Sequence, residues 1–122
     1  LGIATDLGMP TQLARKRLRG CQTLVLEANH DETLVQNSFR PWSLKQRILG
    51  RQGHLSNETA AALLAEIAGD TLRQVFLAHL SRECNQLELA LHVVRTRLAA
   101  AGLGHVRVLP THPDKPSEFA EW

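Results

Sequence analysis

Apolar residues follow two alternating rhythms along this chain. Continuous apolar runs stand at "LGIAT" (Leu1 to Thr5), "TLVLE" (Thr23 to Glu27) and "QVFLA" (Gln74 to Ala78). Runs this short predict strands, and their unbroken apolar character predicts strands covered on both faces. "HVRVL" (His105 to Leu109) alternates apolar with polar residues, the pattern of an edge strand. Between the runs the period changes to that of a helix. Ala60, Leu63, Leu64 and Ile67 recur at helical spacing in "HLSNETAAALLAEI", with Ser56 or Asn57 as cap and Gly69 as stop. "NQLELALHVVRTRLAAAG" is the longest helix, with Leu87, Leu91, Val94 and Leu98 as its apolar stripe and Glu88, His92 and Arg95 on the opposite face. Shorter helices are predicted in "TQLARKRLRG", capped by Thr11 and ended by Gly20, in "HDETLVQN", and in "PWSLKQRILG", capped by Ser43 and ended by Gly50.

Strands joined by helices predict an α/β fold with a parallel sheet. In such folds the chemistry gathers beyond the carboxyl ends of the strands. Those ends carry "TDLG" with Asp6, "EANHD" with Glu27, Asn29, His30 and Asp31, and "AHLSRECN" with His79. "GHLSN", with His54, precedes the capped helix. The remaining histidines, His92, His105 and His112, fall on a helix face, at a strand start and between prolines, and read as surface residues. The tail "PTHPDKPSEFAEW" holds three of the five prolines and is expected to be irregular and exposed.

Composition narrows the classes. The chain has 122 residues, 43% hydrophobic and 21% charged, as in a single globular domain. Aromatics are few, so the core must be aliphatic. A net charge of +2 excludes binding to nucleic acid by bulk charge alone. Basic residues do cluster, in "ARKRLR" and in "KQRILGR", and Arg40, Lys45, Arg47 and Arg51 flank the His54 loop as candidate phosphate contacts. Cys21 and Cys84 lack metal-site spacing, which favours a reduced, cytoplasmic setting. No apolar run is long enough to span a membrane. The chain opens on Leu1, within a strand, and its only methionine is Met9; we expect the C-terminal part of a longer protein.

Asp6, a turn-former as readily as a ligand, and His79, after a buried strand, are plausible ligands for zinc or a harder cation. Two ligands do not close a site, and no H-x-H or H-x-x-x-H pair is present. His54 ahead of a helix start, with Glu27 as its carboxylate partner, has the makings of a general acid, because the carboxylate raises the affinity of the imidazole for a proton.

"TDLG", "EANHD", "LKQRILGRQGHLSN" and "LAHLSRECN", in this order, resemble the C-terminal half of metallo-β-lactamase-fold hydrolases. The similarity is to the YycJ/WalJ branch, related to ribonuclease Z and the phosphoribosyl cyclic phosphodiesterases. The resemblance implies the second half of an αββα sandwich over residues 1–109, followed by a tail over 110–122. It implies two divalent metal ions, zinc or manganese, with Asp6 as the bridging carboxylate and His79 as the last histidine ligand. His54 matches the histidine that protonates the leaving oxygen or contacts the scissile phosphate, and Glu27 the acid that orients it. Ser56, Asn57 and Arg47 are expected at the substrate. Asn29, His30 and Asp31 match the branch signature without an assigned role.

The branch's H-x-H-x-D-H motif and a further histidine have no counterpart here, so the ligand set is partial and the chain alone is expected to be silent. The implied activity is metal-dependent hydrolysis of phosphodiester bonds, in nucleic acid or in a small cyclic phosphate. The competing expectation is a non-catalytic interaction module that pairs with another chain or forms a homodimer.

Overall fold

The computed structural model describes residues 1–121, and Trp122 falls outside them. Its elements are β1 (Gly2–Ala4), α1 (Gln12–Leu18), β2 (Thr23–Glu27), α2 (Glu32–Gln36), α3 (Trp42–Leu49), α4 (Asn57–Ile67), β3 (Gln74–Ala78), α5 (Leu87–Ala100) and β4 (Arg107–Pro110). The four strands form one parallel sheet in the order β1-β2-β3-β4. The chain therefore moves across the sheet in one direction. With crossovers of a single hand, that order puts every connecting helix on the same face. This is an α/β architecture compatible with one half of a metallo-β-lactamase sandwich.

Strand register decides what each face holds. Ala4, Leu26 and Leu77 align with one another, as do Leu24 and Val75. These side chains point toward α1, α4 and α5 and build the core with Ala60, Leu63, Leu64, Ala90, Val94 and Leu98. Ala90 is buried in this core, whereas the stripe residues Leu87 and Leu91 are only partly buried. The other face carries Ile3, Val25 and Phe76. Ile3 is 65% exposed and Leu1 68% exposed, so β1 is not the buried strand its composition suggests. Nothing among the described residues covers that part of the sheet.

The tail does cover the middle of that face. Gln74, itself buried, donates to the Glu121 carbonyl at 2.8 Å and accepts from the Glu121 N–H at 3.1 Å. Arg107 pairs with Glu118 and Glu121, both at 3.3 Å. Pro110 closes β4 rather than opening the tail; from Thr111 to Glu121 the chain has no regular element, yet it is tied back across the sheet rather than free.

Helix boundaries follow local chemistry. Thr11 caps α1 through Ala14 N–H, Asp31 caps α2 through Leu34 N–H, and Ser56 caps α4 through Thr59 N–H. Ser43 does not cap α3. Pro41 occupies the N-cap position without a side-chain bond, and Ser43 lies inside the first turn. Helices α2 and α3 pack through Val35 and Ile48 against Cys84, a small second core beside the carboxyl end of the sheet.

Candidate metal centre

The centre is assembled where β1, β2 and β3 end. Asp6 follows β1, Glu27 closes β2, and His79 follows β3 directly. Glu27 is completely buried and its carboxylate is fully engaged. Its Oε1 accepts from His54 Nδ1 at 2.7 Å and from His79 Nδ1 at 2.7 Å. Its Oε2 accepts from the Leu7 N–H at 3.2 Å. Three donors satisfy a charge that would otherwise be costly to bury.

A carboxylate only accepts, so both imidazoles carry their hydrogen on Nδ1 when neutral. That tautomer leaves Nε2, with its lone pair, as the atom each ring can offer to a cation. The rings meet edge to face, with centroids 5.0 Å apart. Asp6 Oδ1 lies 3.7 Å from His54 Nδ1 and 3.6 Å from His79 Nδ1.

Asp6, Glu27, His54 and His79 each offer a ligand atom within 4.8 Å of the others. Carboxylate and imidazole together suit zinc or manganese. Ligands at about 2.1 Å in a tetrahedron stand roughly 3.4 Å apart. The 2.7 Å contacts of Glu27 are shorter and are hydrogen bonds. Glu27 thus acts as an acceptor behind the rings, an arrangement that fixes ring direction and raises ligand basicity. The four residues form a group that could hold a metal ion.

Two backbone features hold these groups together. Asp6 and His79 are the non-glycine residues with positive φ among the described residues, at 58° and 57°. Asp and His enter this region more readily than most residues, at a cost that surrounding bonds must cover. The glycines of "TDLG" and "GHLSN" allow backbone to press on backbone. A Cβ on Gly8 would meet the Arg51 carbonyl oxygen at 2.0 Å, and one on Gly53 would meet the Ile48 carbonyl oxygen at 2.2 Å. The Asp6 loop therefore lies directly on the His54 loop.

A cleft of about 650 Å³ opens above the cluster, lined among others by Asp6, Arg40, Arg47, His54, His79 and Arg82. Arg40 is paired with Glu83 at 3.1 Å. Lys45 turns away to the Gln36 carbonyl, and Arg51 does not line the cleft. Ser56 and Asn57, expected at the substrate, do not line it either. Both are buried, Ser56 on Thr59 and Asn57 in a reciprocal amide pair with Asn85, both bonds 2.8 Å. Arg82 and the Glu27–His79 bond were not foreseen. Arg82 had a signal, its place three residues beyond His79, but the shared oxygen had none. His30 is buried and its pKa is lowered, chiefly by desolvation and less by the neighbouring His54, against the opposing pull of Glu32, Glu27 and Asp31.

Comparison with characterised proteins bears on this centre. Exodeoxyribonuclease YycJ of Bacillus anthracis is 34% identical over 116 residues, a match covering 95% of this chain and 44% of that protein. Exodeoxyribonuclease WalJ of Streptococcus pneumoniae serotype 2, strain D39, is 34% identical over 122 residues, covering 98% of this chain and 45% of that protein. The chain is a relative of the YycJ and WalJ proteins. The resemblance carried by its four motifs is thus the one that whole-chain comparison finds. The chain spans less than half the length of these relatives. No protein-family model matches it.

Proposed function

We propose that this site serves a metal-dependent hydrolase acting on phosphodiester bonds of nucleic acid. The observation that carries the reading is the gathering of Asp6, Glu27, His54 and His79 at the strand ends, under a cleft lined by arginines. The naming of YycJ and WalJ as exodeoxyribonucleases favours DNA as the substrate class.

Zinc or manganese, when bound, supplies charge stabilisation on the phosphate and a nucleophile at neutral pH. Asp6 and His79 would be the residues that hold it. His54 supplies the proton for the departing oxygen. Its Nδ1 hydrogen stays on Glu27, which keeps the ring from turning, so the proton it transfers is one taken up at Nε2. Arg47 and Arg82 receive phosphates, with Arg40 set beside them by Glu83.

The experiment is His54→Ala in the protein that carries the complete ligand set. Cleavage of a labelled DNA oligonucleotide falls by at least about 100-fold, the scale of general acid catalysis, while bound metal stays constant. Equal loss of metal makes His54 a ligand and ends the proton-donor assignment. Undiminished cleavage ends both.

A second reading is favoured by the uncovered sheet face. Leu1 and Ile3 expose an apolar edge beside Val25, a surface that would pair with another chain or a second copy. Under that reading the protein is a metal-free dimer, which sedimentation and metal analysis distinguish.

A further inference from the structure

We infer that Asn29 is the positioning residue that holds both histidine loops on Glu27, with the buried His30 ring fixing the direction of its amide. Every polar atom of Asn29 is used. Its backbone N–H donates to the Leu55 carbonyl at 2.9 Å, and its carbonyl accepts from the Ser81 N–H at 2.7 Å. Its Nδ2 donates to the His79 carbonyl at 2.7 Å, and its Oδ1 faces His30 Nδ1 at 3.2 Å. One residue thus bonds the neighbour of His54 on one side and, on the other, His79 and Ser81 two residues beyond it.

The bond to His79 is the informative one. His79 adopts a left-handed backbone without being glycine. Such a conformation persists where surrounding bonds over-determine it. Asn29 grips the carbonyl of that same residue, and rotation of His79 back to an ordinary conformation would break the grip. The imidazole would then leave Glu27.

The chemistry of the site asks for an amide. One end must accept from a ring N–H and the other must donate to a carbonyl; a carboxylate cannot donate, and a hydroxyl has a single oxygen for both tasks. His30, 1% exposed, offers Nδ1 to the accepting end. Its own carbonyl accepts from Asn57 N–H at 2.8 Å, at the first residue of the helix that follows His54. "EANHD" is therefore a rung between the two histidine loops. Asp31 extends it, donating its N–H to the Cys84 carbonyl at 2.9 Å while capping α2.

The test is Asn29→Asp, which keeps size and removes the donor. In wild type, long-range nitrogen–proton NMR of the imidazoles shows two Nδ1–H groups bonded to Glu27. In Asn29→Asp the His79 Nδ1–H signal is lost or exchanges at least tenfold faster, while the fold by circular dichroism is kept. Affinity for Zn²⁺ alone, by calorimetry, falls at least tenfold, the scale of outer-shell substitutions at metal sites. Only this second measurement rests on the metal reading; if wild type binds no Zn²⁺, that reading fails and the imidazole signals still decide the role of Asn29. A variant that melts earlier but leaves the His79 signal and exchange unchanged overturns the inference. Should Asn29→Asp not fold, Asn29→Ser is scored by the same signal, with the same two outcomes.

Discussion

Two loops deliver a histidine to the same carboxylate oxygen, and they do so by different means. The His54 loop is built from relaxed parts. Ser56 caps α4, Asn57 is locked to Asn85, and Gly53 rests against the backbone of α3. The His79 loop is a direct exit from β3 with a left-handed histidine at its first step. That conformation costs on the order of 1 kcal/mol, and its return is the placement of a ring on Glu27. The histidine before the helix is held by packing and capping, whereas the histidine after the strand is held by strain and one side-chain bond. Breaking the shared acceptor, the packing or the buried ring between the loops should therefore give separable effects.

The shared acceptor is the largest. Glu27→Ala removes the partner of both imidazoles and of Leu7 N–H and leaves a cavity in a fully buried position. Loss of a buried hydrogen-bond network of this kind costs about 3 kcal/mol or more. Urea unfolding should show that loss, and both Nδ1–H signals should vanish together. Survival of either signal would mean that the loop in question holds its ring without Glu27.

Packing comes next and should act on one loop only. Gly53→Ala drives a Cβ into the carbonyls of Arg47 and Ile48, 2.3 and 2.2 Å away. Overpacking against backbone costs about 1–3 kcal/mol. The His54 signal should shift while that of His79 stays, because the displaced backbone belongs to the His54 side. Equal disturbance of both rings would show that the loops move as one body.

What the sequence carried of this picture divides along the same line. The limits of β2 and β3 are visible in it, because unbroken apolar runs mark strands inside a covered sheet. The start of α4 is visible too, because Ser56 is followed at helical spacing by Ala60, Leu63 and Leu64. The start of α3 is not, since the fixed φ of Pro41 begins the helix earlier than Ser43 would. The exposure of Ile3 is invisible because composition does not say what covers a face. Asp6, Glu27, His54 and His79 can be singled out by their places at strand ends and by the motifs around them. That two rings share one oxygen cannot, for Glu27 and His79 are 52 positions apart and the contact depends on a backbone angle.

The smallest effect concerns the ring between the two loops. His30 is buried, and desolvation holds its pKa below 6.5, with His54 adding to the shift and nearby carboxylates opposing it. The unfolded chain takes up a proton near pH 6.5, while the native protein waits for a lower pH. Between those two values the unfolded state binds more protons, so stability rises with pH and falls as the solution is acidified. The slope for one such group is at most about 1.4 kcal/mol per pH unit, and it flattens again below the native pKa. The test is a difference: urea midpoints of wild type and His30→Gln between pH 7.5 and pH 5. Wild type should lose more stability on acidification than the variant. Amide exchange then locates the loss. Asn57 N–H, bonded to the His30 carbonyl, reports the His54 side, and Ser81 N–H, bonded to the Asn29 carbonyl, reports the other. Protonation of His30 keeps its Nδ1 hydrogen on Asn29 Oδ1 but puts a charge into a buried site, so both amides should open together. Opening at Ser81 alone would place the weakness in the strained loop and make the His54 side independent of the ring.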